Sequence, residues 1–112
     1  MAKIAFWITA GPDLRDKALA NLILAGRLKT HRNQDVEVYF FGPGVRLASV
    51  GDAAIDEALA TLTGAQVPLA ACPANADQYG VTEQVSARGI TMELAGEALV
   101  RLVEQGYQIV GG

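Results

Sequence analysis

With 112 residues the chain has room for one domain, residues 1–112, built on a single core, and not for two. Hydrophobic residues make up 51% of it and charged residues only 19%, an apolar excess that hints at contacts between subunits. The formal net charge of −3, with no long run of either sign, argues against a surface that tracks nucleic-acid phosphates.

Residues 3–9, KIAFWIT, are a continuous apolar run with β-branched and aromatic members, the pattern of a parallel strand buried on both faces. Gly11-Pro12-Asp13 breaks the run, and a helical period begins at Asp13. Leu14, Ala18, Leu22, Ala25 and Leu28 fall on one face of that helix. Asp13 is placed to cap it, and Asp16 lies in the first turn, where the helix dipole favours a carboxylate. Asn33-Gln34-Asp35 reads as a turn and residues 36–41, VEVYFF, as the second strand. Gly42-Pro43-Gly44 ends it, and residues 45–50 read as a short helical turn. Asp52 opens the next helix, with Ile55, Ala58, Leu59 and Leu62 on one face and Gly64 at its end. Residues 67–71, VPLAA, are the third strand and lead straight into Cys72.

Pro73 suits the first turn of a helix, where its missing N–H costs nothing. Residues 74–79 and 82–87 read as short helical turns, with Gly80 stopping the first, and residues 89–91 as a fourth extended piece. Residues 93–104 are a helix with Leu94, Ala98, Leu99, Leu102 and Val103 inward, and residues 107–110, YQIV, are a last strand. The alternation and its short connections predict the α/β class: a three-layer α/β/α sandwich on a mostly parallel sheet of about five strands, with helices on both faces.

In such a sheet ligands bind outside the carboxyl ends of the strands. Three loops qualify: Gly11, Pro12 and Asp13 after the first strand, Gly42, Pro43 and Gly44 after the second, and Cys72, Pro73 and Asn75 after the third. The glycines admit close approach of backbone to a ligand. Gly42-Pro43-Gly44 lacks both the Lys-Ser/Thr of a phosphate loop and the dinucleotide spacing. A thiol at a helix N-terminus has its thiolate favoured by the dipole and by unpaired N–H groups. Cys72 so placed is a nucleophile able to take up sulfane sulfur as a persulfide. The opposing reading is a buried thiol acting as a small core hydrophobe. His31 is expected near the end of the first helix, at the amino edge of the sheet, which separates it from Cys72 and argues against a thiol hydrolase. Arg15 reads as a solvated helix-face charge, Tyr79 as a ring over the Cys72 loop or simply packed, and Asn75 as a partner of the thiol or of the turn. One cysteine and one histidine fit no metal-ligand spacing, and no cofactor is expected.

A single cysteine excludes an internal disulfide and suits a reducing compartment. The first ten residues are too short for a signal-peptide core with its cleavage site, and no apolar run approaches the roughly 18 residues that cross a bilayer. The expectation is a cytoplasmic protein without membrane or nucleic-acid partners.

Three segments, taken in order, resemble one family. They are the first strand with its Gly-Pro-Asp loop and long Ala/Leu-rich helix, the stretch DVEVYFFGPGVRL, and VPLAACPANADQYGVTEQVSARGI, followed by a last helix and GYQIV. Together they resemble the DsrE/DsrF-like family, whose fold is also called YchN-like. The resemblance implies a three-layer domain that forms trimers or hexamers. In its sulfur-trafficking members the cysteine after the third strand accepts and passes on a persulfide sulfur, in sulfur oxidation or tRNA thiolation. Cys72 occupies that position, although its Pro-Ala-Asn-Ala sequel differs from the best-known relay subunits. The resemblance therefore implies a sulfur carrier serving donor and acceptor proteins. The alternatives are an oligomeric module that binds a small ligand or nucleotide at the same edge with Cys72 incidental, and a structural subunit of a hetero-complex.

Overall fold

The computed structural model describes residues 1–49 and 51–112. Five strands, β1 (Lys3–Ile8), β2 (Asp35–Phe40), β3 (Leu69–Ala71), β4 (Thr91–Met92) and β5 (Gln108–Gly111), form one sheet in the order β4-β3-β2-β1-β5. Every pairing is parallel, so the sheet is parallel throughout rather than mostly so. The helices are α1 (Arg15–Thr30), α2 (Gly44–Ser49), α3 (Ala53–Gly64), α4 (Pro73–Tyr79), α5 (Thr82–Ser86) and α6 (Ala95–Glu104). Of the turn expected over residues 45–50, Val50 lies outside the described residues.

The strand order explains how the helices are shared between the faces. From β1 to β4 the chain moves steadily in one direction across the sheet. Right-handed crossovers taken in one direction place their helices on the same face. The main core accordingly joins Phe6, Ile8, Val36, Val38, Phe40, Leu69 and Ala71 to buried residues of α1 to α5. The connection from β4 to β5 runs back over the whole sheet, so α6 lies on the other face. There it meets a smaller cluster of Tyr39, Cys72 and Ala98, with Trp7, Phe41, Ala70 and Ala95 packed around them.

Two helix faces differ from the sequence expectation. On α6 only Ala98 and Leu102 are buried, while Leu94, Leu99 and Val103 point outward, with Val103 at 58% exposure. The aromatic surface of Tyr39 and Trp7 receives the small side of the helix, Ala95 and Ala98, and the larger apolar residues are turned away. At the start of α1 the chain makes a short 3-10 turn over Pro12–Leu14, closed by the Leu14 N–H on the Gly11 carbonyl. This turn displaces the helix start to Arg15, so Asp13 caps nothing and Leu14 is left exposed. Asp52 does cap α3, its carboxylate accepting from the N–H groups of Ala54 at 3.0 Å and Ile55 at 3.2 Å.

Candidate functional site

The three strand-end loops do converge. Gly42 takes a left-handed φ of +58°, and its N–H donates to the Asn75 side-chain carbonyl at 2.8 Å, which ties the second loop to the third. Asn75 therefore serves the turn and not the thiol; its amide nitrogen donates to Gln78 at 3.3 Å. The first loop meets the second just as closely. A methyl group on Gly11 would come within 2.9 Å of the Pro43 side chain, and one on Gly44 within 2.0 Å of the Ile8 carbonyl oxygen. Gly44 is thus fixed by the approach of α2 to the end of β1. Gly11, Gly42, Pro43 and Gly44 brace the edge beside Cys72 through these contacts, and Pro12 and Asp13 lie in the 3-10 turn that follows Gly11.

Cys72 stands at the end of β3 and is the N-cap residue of α4, with Pro73 at the first helical position. Its N–H donates to the Phe40 carbonyl and its own carbonyl accepts from Ala76. This is the strand-end, helix-start position read from the sequence. Its surroundings were not legible there. The residue is 4% exposed, turned toward α6 and packed with Tyr39 and Ala98. The thiol is covered by aromatic rings and alanines.

Tyr39 shapes this cover. Its ring stacks on Trp7 with centroids 4.3 Å apart, and Trp7 meets Phe41 at 5.6 Å. Its hydroxyl donates to the Glu93 carbonyl at 2.6 Å, at the junction between β4 and α6. Burial, and then the neighbouring Cys72, push the Tyr39 phenol well above its ordinary range. Arg101 on α6 completes the arrangement. Its Nε and Nη2 reach the two Glu93 carboxylate oxygens at 2.9 and 3.0 Å, and Nη2 also meets Glu37 on β2 at 3.1 Å. A guanidinium fork on two carboxylates pins α6 to the sheet. The partners are 8 and 64 positions from Arg101 in the chain, so no local pattern announced them.

The remaining sequence candidates lie elsewhere. His31 is exposed at the carboxyl end of α1, as expected, far from the thiol edge. Arg15 is not a free surface charge: it pairs with Asp52, its Nη2 3.1 Å from Oδ1, and with Asp16. This pairing holds the Asp52 carboxyl down at about 2. Tyr79 packs its ring against Arg46, whose guanidinium lies 5.5 Å from the ring centroid. A cleft of about 350 Å³ opens between α1 and α3, lined by Leu19, Ile23, Gly26, Arg27 and Thr61 among others. These helices cover the face of the sheet opposite Cys72. Among the described residues no helix is long and apolar enough to cross a membrane, and no three His, Cys, Asp or Glu side chains cluster as metal ligands.

The fold has solved counterparts. The chain aligns with a conserved protein of unknown function from Bacteroides thetaiotaomicron at a TM-score of 0.81 and 18% identity, covering 96% of this chain and 94% of that one. It aligns with the YchN protein of E. coli at a TM-score of 0.80 and 19% identity over the whole of both chains. A protein of unknown function from Methanobacterium thermoautotrophicum aligns at 0.69 and 17%, again over both whole chains. At these identities the likeness is one of fold. No curated protein matches the sequence. The family model of the DsrE/DsrF-like family matches residues 2–111, and with that match the chain belongs to the DsrE/DsrF-like family.

Proposed function

We propose that this protein is a small cytoplasmic sulfur carrier whose acceptor is Cys72. The observation that supports this most is the position of the single thiol: it follows β3 directly and stands at the start of α4, beside the converged strand-end loops. Membership of a family with sulfur-relay members adds to it. The reaction is an exchange. The Cys72 thiol gives its proton to solvent, and its sulfur attacks the outer sulfur of a donor persulfide. The donor S–S bond breaks as the new one forms, and the donor leaves as a thiolate that takes up a proton. Passing the sulfur to an acceptor thiol repeats the step with the roles reversed. No electrons are gained or lost overall, and no second cysteine is needed. The braced loops of Gly11 to Asp13 and Gly42 to Gly44, with Pro73 and Asn75, form the rigid edge against which the donor docks.

The carrier functions as a homo-oligomer, a trimer or hexamer, in this reading. Gly96, Leu99, Val100 and Val103 form an outward stripe on α6, with Val100 at 57% exposure, so the helix is apolar on two sides. A helix of that kind is normally covered all round.

A second reading is favoured by the 4% exposure of Cys72: an oligomeric ligand-binding module in which the thiol is core filling. Incubation with a polysulfide, followed by intact-protein mass spectrometry, separates the two. The carrier reading expects a gain of about 32 Da per chain, reversed by reductant and absent in Cys72→Ser. An unchanged mass, with the thiol still open to alkylation, leaves the module.

A further inference from the structure

Cys72 is 4% exposed, and the groups that cover it have a common anchor. The α6 helix crosses the sheet alone, and two contacts fix its start and middle. The Tyr39 hydroxyl donates to the Glu93 carbonyl at 2.6 Å. Arg101 grips the Glu93 carboxylate with two nitrogens and Glu37 with a third contact. Both anchors converge on Glu93, the residue between β4 and α6, whose N–H also donates to the Ala71 carbonyl beside Cys72. The cover itself is small: Ala95 and Ala98 are the α6 side chains that join the cluster around the thiol. A hydroxyl has one proton. The Tyr39 proton is spent on Glu93, so toward Cys72 the phenol offers only lone pairs, which an S–H can meet and a bare thiolate cannot.

We infer that Tyr39, Glu93, Arg101 and Glu37 form a latch that closes α6 over Cys72, and that release of this latch is the step that admits a sulfur donor. Loss of the phenol's hydrogen bond to the Glu93 carbonyl, or of the Arg101 grip on the two carboxylates, loosens the junction that carries α6. A donor protein bearing a cation of its own has two carboxylates to bind in place of Arg101. The inference rests on the carrier reading for its purpose, but the latch is a property of the thiol's access and can be read without any sulfur chemistry.

The test is the rate at which iodoacetamide alkylates Cys72 in native full-length protein. Arg101→Met and Tyr39→Phe each remove one anchor, and each is expected to raise the rate by about tenfold or more, the scale of one lost charge-assisted or buried hydrogen bond. Arg15→Gln breaks an ion pair on the other side of the sheet and is expected to leave the rate at the wild-type value. Circular dichroism and denaturant midpoints verify that each variant is folded, and Arg101→Lys, which keeps the charge without the fork, is expected to lie between. Equal rates in wild type, Arg101→Met and Tyr39→Phe overturn the latch, as does an equal rise in Arg15→Gln. Faster alkylation without any polysulfide adduct in Arg101→Met leaves the latch standing and removes the carrier reading instead.

Discussion

The two faces of one sheet are built to different standards. On one, α1 to α5 bury Phe6, Ile8, Phe40, Leu22, Ile55 and Leu62 to within 1% exposure. On the other, α6 alone spans a sheet whose five strands make it about 19 Å wide, with a helix about 10 Å across. Trp7 and Phe41 stay half-buried there, and Leu99, Val100 and Val103 face outward. Neighbouring residues feel the difference: Phe40 points into the first core and Tyr39 into the second cluster. Stability resides on the five-helix face. The face with the thin cover holds the thiol, the buried phenol and the ion-pair fork, and has the least apolar contact to lose on opening.

That contrast can be broken or sharpened in order of effect. Phe40→Ala empties a fully buried site on the five-helix face and is expected to cost about 3–5 kcal/mol in urea unfolding. Gly44→Ala drives a methyl group into the Ile8 carbonyl where the strand-end loops meet, and about 3 kcal/mol is expected in the same measurement. Tyr39→Phe, one residue from Phe40 but on the thin face, is expected to lose only about 1 kcal/mol while its Cys72 becomes reactive. If Tyr39→Phe proves as costly as Phe40→Ala, the two faces are one cooperative unit and the comparison fails. Val103→Glu is expected to leave monomer stability within about 0.5 kcal/mol and to abolish self-association in sedimentation velocity. An unchanged sedimentation coefficient removes α6 from the interface.

The Arg15–Asp52 pair gives the five-helix face a pH signature. Asp52 is held down at about 2, first by Arg15 and then by the α3 N–H groups. A carboxyl depressed by folding adds stability that is complete above its unfolded pKa of about 4 and disappears as pH falls toward 2. Wild-type melting temperature is therefore expected to fall across that window, and Asp52→Asn is expected to flatten the fall. Iodoacetamide access to Cys72 at neutral pH is expected to be the same in both, because the pair lies away from the latch.

Much of the fold was legible because its signals are local. The runs at residues 3–9 and 36–41, the helix starts at Asp52 and Pro73, and the alternation of elements predicted the parallel sheet and located Cys72 at a strand end. The face that Cys72 takes was not legible. Strands buried on both sides carry no alternation to tell one face from the other, and the side is decided by α6, more than twenty residues later. The same ambiguity misplaced Leu94, Leu99 and Val103, because a helix apolar on two sides does not say which of them faces in. Arg15 was read as a solvated charge, and Arg101 drew no reading at all, because their partners Asp52 and Glu37 are 37 and 64 positions away. The helix cap assigned to Asp13 failed for a local reason: Pro12 starts a 3-10 turn that consumes the residues a cap would have used.

The central claim, that Cys72 is a sulfur acceptor beneath a releasable cover, is tested most directly by the time course of polysulfide loading. Wild type, Arg101→Met and Cys72→Ser are followed side by side by intact mass and peptide mapping. The account predicts a persulfide on Cys72 in wild type that forms slowly, the same adduct forming about tenfold faster in Arg101→Met, and none in Cys72→Ser. Absence of the adduct from both wild type and Arg101→Met, with iodoacetamide still able to label the thiol, would contradict it.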